Sequence, residues 1–123
     1  MTRSSGILLP VSALPSPCGI GDLGTAAREF IDFLAAAGQR HWQILPLNPP
    51  DSAHSPYLSA STFAGSTDLL SPEPFLARGA LTADEVRSVD WGGDPVRVDY
   101  GRVHAGKTAL WAAAFAREQA AVT

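Results

Sequence analysis

Three sets of residues in this 123-residue chain have types and spacings that could do chemistry. The first is Gly19-Ile20-Gly21-Asp22-Leu23-Gly24, which fits the pattern G-x-G-x-x-G used to cradle a dinucleotide pyrophosphate. That chemistry needs the first glycine directly after a strand, so that the phosphates meet the next helix N-terminus. Here Pro15 and Pro17 intervene after Val11, and residues 41–50 offer no Asp or Glu for a ribose. The glycines therefore read as a tight turn into a helix.

The second set is the carboxylate pairs Glu29/Asp32 and Asp84/Glu85. Two carboxylates can share general acid–base or nucleophilic work. However, Arg28 lies four before Asp32, a spacing that favours a solvated ion pair on a helix. Asp84 and Glu85 fall in the first turn of a helix, where the dipole accommodates negative charge. Neither pair is expected to be catalytic. The third set is His41, His54, His104 and Cys18. Their spacing is not that of a metal site, so no metal is expected. His54 reads as a surface-loop residue, and His41 and His104 as structural. Cys18 lies between Pro17 and Gly19 with no cationic neighbour in sequence to activate it, so a packing role is expected. As the only cysteine, it can form no internal disulfide.

The elements that must position these residues follow from the apolar pattern. Residues 6–9 form a short apolar run closed by Pro10, as expected for a strand buried on both faces. Thr25 to Ala37 is amphipathic, with Ala26, Phe30, Phe33, Leu34 and Ala37 on one face. Asp22 could cap its start, and Gly38 could end it. Residues 41–47 read as a second apolar strand closed by Pro46, with Trp42 in the core. Strand, helix and strand in this order make a βαβ unit with parallel strands and a right-handed crossover. The polar loop 48–62 then leaves the carboxyl end of the second strand, where α/β folds place their ligand sites. Residues 63–80 look irregular, with a helical turn near Phe75. Thr82 and Glu85 form a capping box for a helix over 82–88. A last helix is expected over 103–119, presenting Val103, Leu110, Trp111, Ala114 and Phe115 on one side.

Composition narrows the partners. Apolar residues make up 46% and the net charge is −3, with basic residues scattered singly. This argues against nucleic acid and against an anionic membrane surface. No apolar run approaches membrane-spanning length and no signal peptide is evident, so a cytoplasmic location is expected.

Several segments, taken together and in order, resemble the opening of the 4-α-glucanotransferase family, also called amylomaltase or disproportionating enzyme. They are Ser5-Gly6-Ile7-Leu8-Leu9-Pro10-Val11-Ser12, Leu14-Pro15-Ser16-Pro17, residues 19–24, Gly38-Gln39, Trp42 to Leu47, Ser55-Pro56-Tyr57, Phe63-Ala64-Gly65, and Asp99-Tyr100 with Val103, Lys107 and Leu110. The resemblance implies an α/β fold: the N-terminal part of a (β/α)8 TIM barrel with the start of an inserted subdomain after the second strand. It divides the chain into 1–60, the first βαβ unit and cleft loop, and 61–123, the start of the helical insertion. The implied activity is transfer of an α-1,4-glucan segment to the 4-hydroxyl of glucose or another glucan by a retaining mechanism. The implied partners are maltooligosaccharides and glucose, and no cofactor is required.

By the same resemblance, Tyr57 would line the sugar cleft and Ser55 would hydrogen-bond the sugar. An aromatic face packs on the apolar face of a glucose ring while the phenol reaches a hydroxyl. The chain departs from the family at 48–54, where Asn48-Pro49-Pro50-Asp51-Ser52-Ala53-His54 replaces a Gly/Tyr loop ending in Asp, and at Ser66 in place of Asn. The family's acidic motifs, Arg-x-Asp-His and Glu-Asp-Leu-Gly, do not occur, so no catalytic residue is expected in these 123 residues, and the chain alone should be inactive. The alternative is a non-catalytic glucan-binding module.

Overall fold

A computed structural model describes residues 3–122. Strand β1 (Gly6–Leu8) lies parallel to β2 (His41–Gln43), with Ile7 opposite Trp42. Helix α1 (Thr25–Ala36) connects them, so the expected βαβ unit is present. The second strand is shorter than the 41–47 expected. The Leu9 amide donates to the Gln43 carbonyl at 3.0 Å as the last rung. Val11, the next residue that could donate to β2, lies in a 3-10 turn over Val11–Ala13, which ends the ladder. The strands were also expected to be buried on both faces, yet Ile7 and Leu8 are exposed. One face of this two-stranded sheet does meet α1: Phe30 packs edge-on against Trp42 with centroids 5.1 Å apart. The Trp42 indole also donates to the Leu9 carbonyl at 2.8 Å, which accounts for its expected core role. Val11, Leu14 and Ala27 complete this small core. Ala27 takes the inward place expected of Phe33, which is exposed.

Helix α1 ends as the sequence suggests, at Gly38 with φ 73°. Its start does not. Gly24 is the cap residue, and Asp22 turns inward, its Oδ1 accepting the Gly24 amide at 2.9 Å. The free first-turn amide of Thr25 is taken by Glu73 Oε1 at 3.0 Å, and the Thr25 hydroxyl by Oε2 at 2.9 Å. Arg28 also pairs with Glu73, at 2.7 Å, rather than with Asp32. Partial desolvation works against the Glu73 carboxylate, but the Thr25 and Arg28 hydrogen bonds outweigh it and hold its pKa below the usual range. A helix N-terminus already occupied by a carboxylate repels a phosphate, so the 19–24 segment is a packing turn. Gly19 has φ 73° and lies against Trp91. A Cβ at Gly21 would sit 2.2 Å from the Val11 carbonyl oxygen and 2.7 Å from the Leu14 amide. Neither atom can swing aside as a side chain would. Gly21→Ala should therefore cost at least about 1–3 kcal/mol of stability, read as a lower urea midpoint. A midpoint equal to wild type would contradict this packing role.

The second half of the chain is helical. The helical turn expected near Phe75 is helix α2 (Glu73–Ala77), and a 3-10 turn at Thr67–Leu69 adds order that was not expected. Helix α3 (Ala83–Ser88) carries the expected capping box: Thr82 Oγ1 accepts the Glu85 amide, and Glu85 accepts the Thr82 amide. Helix α4 (Tyr100–Val122) starts one turn earlier than expected. Asp99 explains the extension, because its Oδ1 accepts the Arg102 amide at 3.1 Å in a cap geometry. Ala80, Leu81, Leu110 and Ala114 form the core here, with Phe75 and Trp111 ring centroids 4.8 Å apart beside it. Phe115, expected on this face, is exposed.

Glu85 also ties α3 to α4 through Arg117 at 2.8 Å. The Arg117 hydrogen bond first, then the Thr82 bonds, pull the Glu85 carboxyl from its ordinary 4.5 down to about 2. A depressed carboxylate pKa stabilises the fold above the unfolded value, and that stability is lost as pH falls through the folded value. The acid limb of a melting-temperature profile should therefore steepen between 4.5 and about 2. In Arg117→Met the limb should be flatter; an unchanged limb would remove Glu85 from the account.

The largest surprise in this half is Lys107, whose side chain is 0% exposed. Its ammonium donates to the Leu70 carbonyl and lies 3.5 Å from Asp22 Oδ2. Burial pushes its pKa below the ordinary value, opposed first by Asp22. Cys18 is buried beside this group, so the cationic neighbour absent from the local sequence arrives from α4. Burial nonetheless dominates and raises the thiol pKa, which keeps Cys18 a packing residue.

Candidate functional site

The loop after β2 is closed at its base. The Ser66 amide donates to the Leu47 carbonyl at 2.7 Å. Asn48 Nδ2 donates to the carbonyls of Thr62 and Ala64 at 2.9 and 3.0 Å. These bonds bring the two ends of 48–65 together and project its middle outward, as in an Ω-loop. Asn48 was read only as part of a departure from the family; nothing in its local sequence signals that both partners lie at the far end of the loop.

Within it, residues 51–58 form a smaller closed turn. The Asp51 amide donates to the Leu58 carbonyl at 2.9 Å. Asp51 Oδ1 accepts the Ala53 amide at 3.0 Å and the Ser55 amide at 3.4 Å. Ser55 Oγ in turn accepts the Tyr57 amide at 3.3 Å. Asp51 thus organises the turn from inside it, an Asx geometry that the residue type allows. The two residues singled out from sequence are brought together. Ser55 is half-buried and orients the backbone of Tyr57, whose ring is 71% exposed. Phe63, on the returning arm, is 99% exposed and adds a second bare aromatic face.

A cavity of about 240 Å³ lies under this loop, lined by Pro10, Val11, Leu45, Leu47, Asp68 and Tyr100 among others. Ser55 and Tyr57 are not in its lining; they face outward above it. Asp68 is its one carboxylate, and it pairs with His104 Nδ1 at 3.1 Å, which accounts for that histidine structurally. His41 bonds Ser4 Oγ at 3.0 Å, also away from the loop. His54 is exposed on the loop, as expected, and its ring also stacks on Tyr100 with centroids 4.2 Å apart.

The two carboxylate pairs singled out from sequence lie away from the loop. Glu29 and Asp32 are exposed on α1. Asp84 pairs with Arg87, and Glu85 with Arg117. Among the described residues no three His, Cys, Asp or Glu side chains could hold a metal ion, and no helix is long and apolar enough to cross a membrane. The arrangement offers an aromatic face and hydrogen-bonding groups on a stiffened loop.

Comparison with known proteins gives the family. The 4-alpha-glucanotransferase family profile matches residues 9–123. A 4-alpha-glucanotransferase of Thermus thermophilus is 45% identical over 107 residues, covering 87% of this chain and 20% of that protein. One from Streptococcus pneumoniae (strain TIGR4) is 41% identical over 108 residues, covering 88% of this chain and 21% of that protein. The solved amylomaltase from Streptococcus agalactiae, in complex with acarbose, superposes with a TM-score of 0.88 at 35% identity. That superposition covers 93% of this chain and 23% of the other. The chain therefore spans about a fifth of the length of the relatives it matches. With nearly its whole length inside one profile and its backbone following a solved member, the chain belongs to the 4-alpha-glucanotransferase family.

Proposed function

We propose that this chain serves as the N-terminal part of a 4-α-glucanotransferase. In this reading 1–60 supplies the first βαβ unit of a (β/α)8 barrel and one wall of its cleft, and 61–123 begins the inserted helical subdomain. The protein acts on α-1,4-glucans and glucose in the cytoplasm, without a cofactor. The observation that carries the reading is an exposed tyrosine on a pinned loop at the carboxyl end of a parallel strand, where barrel enzymes gather their substrates.

The reaction is the retaining one. A carboxylate attacks C1 of the donor sugar and the α-1,4 bond breaks, with an acid protonating the departing O4. The 4-hydroxyl of the acceptor then attacks C1, gives its proton to the same group acting as base, and frees the carboxylate. Those two groups are supplied outside these 123 residues. What this chain contributes is position: Tyr57 packs against a glucose ring, and the Ser55 hydroxyl bonds the sugar while holding the Tyr57 amide. The full-length protein incubated with maltotriose should release glucose and longer maltodextrins. Residues 1–123 alone should leave maltotriose unchanged. Turnover by the short chain, or none by the full-length protein, would refute the proposal.

A further inference from the structure

His54 is the one non-glycine residue with a positive φ, 56°, among those described. A side chain rarely adopts that region unless the surroundings hold it there. Its amide is tied to the Asp51 carbonyl at 2.9 Å, and its ring lies flat on Tyr100, 8° from parallel. Every hydrogen bond recorded for 51–58 stays inside that segment. The stack joins the turn to a separate element.

That element is rigid. Tyr100 is the first residue of α4, and the same helix grips 67–70 with three side chains. His104 bonds Asp68, Lys107 the Leu70 carbonyl, and Trp111 the Thr67 carbonyl at 3.1 Å. His54 and Tyr100 together form the wall between the apolar cavity under the loop and a polar groove lined by Gly92, Asp94 and Arg97. We propose that the His54–Tyr100 stack sets the height and tilt of the Ser55-Pro56-Tyr57 turn, making both residues positioning residues for Tyr57. The inference rests on the reading of Tyr57 as a glucan contact. It gives the start of the insertion a direct hold on substrate affinity.

The test uses the full-length protein and two readouts, hydrogen exchange of 51–58 and the kinetics of maltotriose disproportionation. His54→Asn tolerates the left-handed backbone but removes the ring. Tyr100→Ala removes the partner, and Tyr100→Phe keeps its face. His54→Asn and Tyr100→Ala should each speed exchange about two- to tenfold, the worth of one aromatic pair. KM should rise by a similar factor with kcat unchanged. Tyr100→Phe should behave as wild type, and the double variant should be no worse than the worse single. Unchanged exchange, a fall in kcat at fixed KM, or multiplying single effects would overturn the inference. Faster exchange with unmoved KM would also overturn it, and would fault the glucan contact at Tyr57 rather than the stack. A wild-type protein with no maltotriose turnover would sink the proposed function and this inference with it.

Discussion

Lys107→Ala should destabilise the protein by about 3–5 kcal/mol, the usual loss when one partner of a buried ion pair is removed. The ammonium is fully buried, and Asp22 opposite it is only 10% exposed. Removing the cation leaves the Asp22 carboxylate without its counter-charge and the Leu70 carbonyl without its donor. It also opens a void beside Cys18, which is itself buried. Lys107→Met, which fills most of the volume, should recover little, because the uncompensated carboxylate dominates. Asp22→Asn combined with Lys107→Met should recover more than either single change, because no buried charge remains. Urea melts of the wild type, Lys107→Ala, Lys107→Met, Asp22→Asn and the double variant check this. A single Lys107→Met variant as stable as wild type would show that packing, and not charge, governs the site.

The second large effect is expected at Tyr57. Tyr57 is largely exposed, and its amide is held by Ser55. Tyr57→Ala should therefore leave folding stability within about 0.5 kcal/mol, as for a surface substitution. Maltooligosaccharide affinity should fall by about 2 kcal/mol, combining lost apolar area and lost ring stacking. That is roughly a thirtyfold rise in KM. Tyr57→Phe keeps the face and should lose only the share carried by the phenol. A Tyr57→Ala protein with reduced stability and normal KM would reassign the ring to packing against another part of the protein.

The contrast between these two residues shows what was legible in the sequence. Local signals read correctly: the capping box at Thr82, the glycine that ends α1 and the parallel βαβ order. Each is decided by neighbours a few residues apart. The misreadings share a different cause. Asp22 looked like a helix cap because the cap position is local, whereas its partner Lys107 lies on α4. Arg28 looked paired within its helix, but Glu73 on α2 offers two more hydrogen bonds to the same corner and takes it. His54 had no visible partner because Tyr100 is distant along the chain. The apolar strands looked buried because their composition says so, yet Ile7 and Leu8 are exposed in a two-stranded sheet. The site divides in the same way. Ser55 and Tyr57 came from a motif, and the structure adds the local bond that joins them. The roles of Asn48 and Tyr100 in shaping the loop came only from contacts distant along the chain, and that of Asp51 from an Asx turn that the sequence reading passed over.

A crystal structure of the full-length protein soaked with maltotriose bears most directly on the account. It should place a glucose ring against the Tyr57 face, with the Ser55 hydroxyl in hydrogen-bond range of the same sugar. Maltotriose bound elsewhere, with the Ser-Pro-Tyr turn bare or folded away from it, would contradict the account.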